Sequence, residues 1–408
     1  MENNDHNVNK DLNDDEAVFK TISCSCRMIK SGLSTRAGKI GGNGLRIIVD
    51  ALLYQPQSAG IGRYIGSLLA AYVSQYHAID HLDVLALPGQ EIPGVEMIYP
   101  PDSLDSSRQR IWYEQWRLPL WLSKRSYDVV HFPDYQLPVL RPVKHTVITV
   151  HDLVAFKYPQ MFPWAQSVVK RELMKQSVKV ADHIIVPSEA TAGDLQEILQ
   201  VSREKISVIA HGIPCMTRKD LVNVRDRPYF LAVGTIEPRK NFEGVIHAFA
   251  EFVHANHLEG QVDLVIAGKK GWLYTPVLEA PKKWNIEESI SLLEYVPDET
   301  LQALYQHSIA LVYPSFYEGF GLPILEAMAQ GTPVIASNQG ALAEVCGDAA
   351  LIVDPKNIDQ LAQYMLDLWE KPTLRETLRQ KGLKRAKSYT WDQAAEKTRE
   401  VYQRVAQL

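Results

Sequence analysis

Residues 312–338 read VYPSFYEGFGLPILEAMAQGTPVIASN, and the order of residue types in this stretch decides the fold class. A short apolar run at 309–313 ends in Pro314 and Ser315 and reads as a buried strand. The loop 316–322 carries one isolated carboxylate, Glu318, and two glycines. Pro323 stands where a helix starts, because its fixed φ and missing N–H cost nothing at the first helical position. The helix runs to about Gln330, Gly331 caps it, and 332–337 forms the next strand. Strand, glycine loop, helix, strand is the unit of a parallel α/β sheet. Such sheets bind ligands beyond the carboxyl ends of their strands, against helix N-termini. Glu318 lies in that loop, and Glu326 is expected in the first helical turn.

The same alternation extends outward in both directions. The first half offers strands at 46–50, 83–87, 96–99, 128–132, 146–151, 183–187 and 206–211. The second half offers 229–234, 262–268, 290–295, 309–313, 333–337 and 350–354. Segments with helical periodicity, such as 241–254 and 297–307, lie between them. Continuous apolar strands alternating with helices predict parallel sheets covered on both faces. There are too many strands for one such sheet. Two domains are therefore expected, 44–215 and 229–388, joined by a charged linker at 216–228 (MTRKDLVNVRDR and Pro228). Residues 1–43 read as a disordered extension, and 389–408 as a terminal helix with apolar positions at Ala394, Ala395, Thr398, Val401, Tyr402 and Val405.

Composition narrows the functional classes. The chain has 408 residues, 46% of them hydrophobic, and a net charge of −5, so bulk charge gives no reason to expect nucleic-acid binding. No run approaches a membrane span and the first residues are acidic and polar, so a cytoplasmic location is expected. Cys24, Cys26, Cys215 and Cys346 lack metal-ligand spacing and read as incidental thiols. The stretch RQRIWYEQWRLPLWLSKR at 108–125 holds three tryptophans and five basic residues against one acid. It suits a helix touching an anionic membrane face, with a core helix as the plainer reading.

Polar residues cluster at predicted strand ends: Asp50, His131, His151, Ser188 and His211 in the first half, then Gly234, Thr235, Gly268, Lys269, Ser315 and Asn338. Two facing sheet edges would place them across one cleft. In GTIEPRKN at 234–241, Arg239 and Lys240 precede Asn241, an apt N-cap for a helix beginning at Phe242. Two cations there can neutralise a diphosphate or form a solvated basic turn. Glu318 can accept hydrogen bonds from sugar hydroxyls, and Glu326 can grip a vicinal diol or simply favour the helix dipole. The backbone N–H groups of Phe320, Gly321 and Leu322 are candidates for phosphate oxygens, because glycine permits close approach. In QSAGIGRY at 57–64, Gly60 and Gly62 fit a phosphate-facing helix start or a plain turn. His151 is a candidate donor to a leaving phosphate or sugar hydroxyl, with a structural histidine as the alternative; His131 reads as structural.

Taken together, these motifs resemble the GT-B glycosyltransferases of family 4, the retaining group 1 enzymes that include bacterial mannosyltransferases. The resemblance runs from Leu45 to about Tyr402 through E-GFGLPIL-E at 318–326, GTIEPRKN, VPDETLQALY at 296–305 and AEVCGDAALIVDP at 343–355. It implies two Rossmann-like domains facing across a cleft, the first on the acceptor side and the second binding the nucleotide sugar, with the terminal helix crossing back to the first. Arg239 and Lys240 match the pair that holds the donor diphosphate. Glu318 matches the carboxylate that orients the transferred sugar, Glu326 the one that binds ribose, and Phe320, Gly321 and Leu322 the backbone cradle. Gly60, Gly62 and His151 match first-domain elements closing over the donor, and Gly234 and Thr235 belong to the donor wall. Glu294-Tyr295-Val296 stands where the family often has Gly-Tyr-Val, and His211-Gly212 replaces the commoner Asn-Gly.

The implied reaction is retaining transfer from a nucleotide-diphosphate sugar, GDP-mannose by resemblance, to a saccharide or polyprenyl-linked acceptor in polysaccharide assembly. No metal or other cofactor is expected, since no D-x-D pair stands at a predicted strand end. Peripheral contact with the inner membrane face goes with such an acceptor. A UDP-sugar donor, a GT-B-fold sugar-nucleotide epimerase and a non-catalytic sugar-nucleotide binder are the alternatives.

Overall fold

The computed structural model describes residues 44–54, 60–92, 94–101, 104, 106–138, 145–213 and 221–408. The predicted extension at 1–43, residues 216–220 of the predicted linker, and Cys24, Cys26 and Cys215 lie outside the described residues. Each of the predicted strands forms. The first sheet comprises β1 (Arg46–Asp50), β2 (His81–Leu85), β3 (Glu96–Ile98), β4 (Val129–Phe132), β5 (Thr146–Thr149), β6 (His183–Val186) and β7 (Ile206–Val208). The second comprises β8 (Tyr229–Val233), β9 (Asp263–Ala267), β10 (Ile290–Leu293), β11 (Leu311–Tyr313), β12 (Val334–Ser337) and β13 (Leu351–Val353). Neighbouring strands in both sheets run parallel, for example with Val49 opposite His131 and Val312 opposite Ile335. Strands β4, β5, β6, β8, β9 and β12 are buried at every position, as the unbroken apolar runs require.

Several strands stop short of the predicted carboxyl ends: 146–151 ends at Thr149 and 206–211 at Val208. The residues beyond turn out of the sheet to serve the cleft, where the rings of His151 and His211 lie 5.4 Å apart. Strand order is β3-β2-β1-β4-β5-β6-β7 in the first sheet and β10-β9-β8-β11-β12-β13 in the second. The direction of winding thus reverses between β1 and β4 and again between β8 and β11. Ligand crevices of open parallel sheets lie at such reversals, and each sheet has one.

The helix at Trp391–Val405 leaves the second half and packs into the core of the first. Trp391, Ala394, Ala395, Val401, Tyr402 and Val405 join one cluster with Ile47, Tyr64, Leu68 and Val129. Thr390 caps its start by accepting from the Gln393 amide, and Arg399 pairs with buried Asp80 at 2.7 Å. Gly212 allows the crossing, since a Cβ there would overlap the Trp391 amide nitrogen. His131 is structural, as expected: its ring bonds Tyr402 Oη at 2.7 Å and Thr149 Oγ1 at 2.9 Å, and burial depresses it to about 3. Cys346 is buried, which pushes its thiol up to about 12.

Two local expectations are corrected. Asn241 does not cap the helix Phe242–Ala255 with its side chain. Its backbone is left-handed (φ 57°), and its amide donates to the carbonyls of Pro314 (3.2 Å) and Pro355 (2.8 Å), tying the basic turn to the β11 loop. The helix after Glu318 begins at Leu322, so Glu326 is its fifth residue and lies beyond the first turn. A dipole interaction is therefore a weak account of Glu326.

Candidate active site

The crevice between β8 and β11 is built from close backbone approaches. Gly234 ends β8 at φ 143°, and a Cβ on Gly268 at the end of β9 would overlap its carbonyl. The chain then makes a single 3₁₀ turn, Pro238–Lys240, that sends Arg239 and Lys240 to one carboxylate. Arg239 Nη1 lies 2.5 Å from Glu318 Oε2, and Lys240 Nζ lies 2.5 Å from Glu318 Oε1. Glu237 takes the other side of Arg239 at 2.5 Å, and Tyr313 Oη lies 2.5 Å from Lys240 Nζ. Glu318 is 8% exposed. Burial alone raises a carboxyl, but Arg239 and Lys240 outweigh it and hold Glu318 at about 2.

Three of the four predicted charged residues thus meet directly. The expectation of two cations awaiting a diphosphate needs amendment, because Glu318 and Glu237 already neutralise them. Glu326 stands apart from this triad. Its Oε1 accepts from Arg63 Nη1 at 2.6 Å and its Oε2 from Tyr305 Oη at 3.1 Å. Arg63 comes from the first domain, at the third position of the helix Ile61–Tyr76, and also pairs with Asp298 at 2.8 Å. Arg63 was legible only as part of QSAGIGRY, and its role escaped the sequence reading. Gly60 precedes that helix at φ 64°, a conformation that favours glycine, and Gly62 is buried in its first turn. Residues 55–59 lie outside the described residues.

The Glu318 loop is gripped by the first domain. A Cβ on Gly319 would overlap the His151 carbonyl oxygen and lie 2.9 Å from Asp152 Cβ. Ser188 and Thr191 donate to the Gly319 carbonyl at 2.8 and 3.3 Å. Tyr317 Oη donates to Asp194 at 2.5 Å. Gly321, at φ 106°, precedes the helix Leu322–Gln330, so the first N–H groups of that helix have no partner within it. The backbone of Phe320, Gly321 and Leu322 therefore presents donors beside the Glu318 triad, and Thr235 follows Gly234 on the same wall.

His151 is close to this loop but differs from its expected role. Burial lowers its pKa, and its Nε2 donates to the Pro133 carbonyl at 2.9 Å. A neutral ring with Nε2–H committed leaves Nδ1 as an acceptor, not a donor. His211, which replaces the commoner Asn, is 6% exposed with neither ring nitrogen hydrogen-bonded among the described residues. It is enclosed by Tyr64, His151, Phe320 and Trp391.

A second charged group, unforeseen from the sequence, occupies the reversal between β1 and β4. Asp50 ends β1, Asp134 follows β4, and Arg110 and Glu114 reach over from the next helical segment. Glu114 belongs to a π-helical turn, Tyr113–Arg117, a geometry that recurs at functional sites. Burial raises the Asp50 carboxyl to about 6, against opposing effects of the Leu52 amide and Arg110. The folded protein therefore holds the Asp50 proton more tightly than the unfolded chain. That stabilisation is complete below about pH 4 and is lost as pH rises through about 6, a span of at most about 3 kcal/mol. We expect Asp50→Asn to raise the thermal midpoint relative to wild type at pH 8 and to leave it nearly unchanged at pH 4.5. Equal shifts at both values would contradict this.

Among the described residues, the ligating side chains that converge within 4.8 Å are His81, Asp83 and Glu96. They sit on β2 and β3, with His81 opposite Arg46 at the amino end of β1, on the edge away from the cleft.

Residues 217–385 match the family described as Glycosyl transferases group 1, and residues 58–216 match Glycosyltransferase Family 4. The chain is 30% identical to O-antigen chain mannosyltransferase B of Escherichia coli over 311 residues, 72% of this chain and 81% of that one. It is also 30% identical to O-antigen chain mannosyltransferase RfbU of Salmonella typhimurium, over 73% and 84%. Its fold superposes on WaaG, a glycosyltransferase involved in lipopolysaccharide biosynthesis, with a TM-score of 0.70 at 17% identity, covering 87% of this chain and 99% of that one.

Proposed function

Because this chain belongs to the group 1 glycosyl transferases and is a GT-B glycosyltransferase, we propose that it transfers mannose from GDP-mannose, with retention, to a lipid-linked saccharide. Its substrates are a nucleotide-sugar donor and a saccharide acceptor; mannose is supported by the names of the two relatives. The observation that carries the site assignment is the triad of Arg239, Lys240 and Glu318 at the sheet reversal.

Glu318 holds the two cations until a donor arrives. An incoming diphosphate takes Arg239 and Lys240, by a guanidinium fork and a point charge, and frees Glu318 for the sugar hydroxyls. The N–H groups of Phe320, Gly321 and Leu322 face the same phosphates. Glu326 exchanges Arg63 for the ribose diol. With this positive field in place, leaving-group departure needs no metal in our reading. The developing oxocarbenium centre is stabilised between Glu318 and the diphosphate, and the acceptor attacks from the face the diphosphate leaves. The acceptor proton passes to the departing phosphate. The grip of the first domain on Gly319 excludes water and limits hydrolysis.

The test is a panel of nucleotide sugars monitored for nucleotide diphosphate release, with membrane lipid extract as acceptor. GDP-mannose should be the preferred donor. Preference for a UDP-sugar would overturn the donor assignment. Conversion of a sugar nucleotide without acceptor would favour an epimerase.

Peripheral membrane contact belongs to the same proposal. Among the described residues, no helix is long and apolar enough to cross a membrane. Trp112, Trp116 and Trp164 are 53%, 56% and 80% exposed, in segments that also carry Arg108, Arg117, Lys170 and Lys175. Exposed tryptophans beside cations suit an anionic interface, against the core role that tryptophans at helical spacing usually have. Replacing both Trp112 and Trp116 by Ala should reduce co-sedimentation with phosphatidylglycerol vesicles roughly fivefold. Undiminished binding would sink the membrane assignment.

A further inference from the structure

The amino ends of β2 and β3, on the edge of the first sheet away from the cleft, hold a group that the transfer reaction does not use. His81 and Asp83 stand two positions apart on β2, so their side chains share one face of the sheet. Glu96 opens β3 and pairs in register with Asp83, which brings it onto that face as well. One nitrogen and two carboxylate oxygens from these residues lie within 4.8 Å of one another.

Two details separate this group from the charged surface of an ordinary edge strand. Asp83 is 4% exposed, yet its Oδ1 has no hydrogen-bond partner among the described residues. Buried polar atoms are normally paired, so this oxygen calls for a partner. The second detail is how the carboxylate is held. Its Oδ2 accepts from Tyr127 Oη at 2.7 Å, and its Oδ1 lies 3.0 Å from His81 Nε2 in a contact without hydrogen-bond geometry. Donor atoms bound to one zinc ion, each about 2.0–2.2 Å from it, stand about 3.0–3.5 Å apart without bonding each other. The His81–Asp83 pair has that spacing. A buried carboxylate fixed by an outer hydrogen bond, its other oxygen free beside an imidazole, is the arrangement of a metal ligand and its supporting group.

We propose that His81, Asp83 and Glu96 bind a divalent transition-metal ion of the zinc class. The donor set selects the ion. Magnesium and calcium take oxygen ligands, so an imidazole nitrogen disfavours them, and three ligands without a thiolate disfavour a soft cuprous ion. Two carboxylates and a neutral imidazole balance two positive charges. Three protein ligands leave a position for water. Glu96 is exposed and closes on the ion by side-chain rotation, with no movement of the backbone. The bound ion ties β3, a three-residue edge strand, to β2. Its role is structural, because the carboxyl ends of the strands line the cleft and these residues stand at the amino ends. An ion held by the folded chain stabilises it by mass action.

The full-length protein, stripped with EDTA and desalted, is titrated calorimetrically with zinc chloride. Wild type is compared with His81→Gln and Glu96→Gln, each shown to be folded by circular dichroism. Cys24, Cys26 and Cys215 can also take zinc, so cobalt(II) spectra separate the two kinds of site. Wild type should bind one zinc ion that each variant loses or holds more weakly by roughly tenfold or more, since a lost ligand costs at least as much as a lost supporting group. Zinc should raise the thermal midpoint of wild type more than that of either variant. The cobalt spectrum of wild type minus variant should show ligand-field bands and no thiolate charge transfer, and magnesium should not displace the zinc. Equal zinc stoichiometry and affinity in the folded variants overturns the site. So does thiolate charge transfer in the difference spectrum, or displacement by magnesium. Both substitutions fall at solvent-accessible positions, and either one carries the comparison if the other fails to fold.

Discussion

Glu318→Gln is expected to lower turnover by roughly 10² to 10³-fold while GDP affinity stays the same or rises. The side chain keeps its size and some hydrogen-bonding capacity and loses only its charge. In the wild type that charge is held at about 2 by Arg239 and Lys240, so it is fully ionised at any working pH. Two consequences separate cleanly. The transferred sugar loses the carboxylate that orients it and stabilises the positive centre, which lowers the rate. The diphosphate, however, meets two cations that no longer have Glu318 as a competing anion, so binding does not suffer. The free protein should also lose stability, because removing one partner of a buried charge group leaves the others uncompensated. Added GDP should restore much of that loss, since binding to the folded state stabilises it by mass action. Turnover measured beside GDP titration decides the matter. Unchanged turnover, or a loss of GDP affinity proportional to the loss of rate, would place Glu318 outside the chemistry.

Gly319→Ala is expected to cost about 10²-fold in turnover by a different route. One added carbon would overlap the His151 carbonyl oxygen and press on Asp152 Cβ at 2.9 Å. Both clashes are with backbone or the root of a side chain, so neither can swing aside. The loop must retreat from the first domain, and the bonds from Ser188 and Thr191 to the Gly319 carbonyl lengthen or break. Glu318 is the next residue and moves with it. Misplacement by about an ångström at a reacting centre can cost two orders of magnitude. GDP binding should change only a few-fold, because Arg239, Lys240 and the start of the helix Leu322–Gln330 all belong to the second sheet's side. Circular dichroism should confirm that both halves remain folded. Wild-type turnover in the folded variant would show that the close approach is incidental.

The contrast between what the sequence revealed and what it hid follows from the range of each interaction. Strands such as β8 and β9 were legible because a strand buried on both faces must be apolar along nearly its whole length. The Glu318 loop was legible because glycines, a proline at the helix start and a lone carboxylate fall within a few residues. Arg63 was not, since it acts on Glu326 across 263 positions of sequence. Lys240 and Glu318 were each visible, but their direct pairing across 78 positions was not. Asn241 looked like a cap from its residue type; the carbonyls of Pro314 and Pro355 recruited its amide instead. Asp50 was visible as a strand-end carboxylate, but its meeting with Arg110, Glu114 and Asp134 was not, because the group is assembled from three separate stretches by the order of strands in the sheet. The His151 tautomer depends on the Pro133 carbonyl, which strand pairing alone brings within reach.

A crystal structure with GDP bound decides whether the donor nucleotide sits at the β8–β11 reversal. The diphosphate is expected on Arg239, Lys240 and the amides of Phe320, Gly321 and Leu322, with the ribose hydroxyls on Glu326 and the Arg63 guanidinium displaced from that carboxylate. Nucleotide density at the β1–β4 crevice, or at the second site with Glu318 still bridging Arg239 and Lys240, would contradict it.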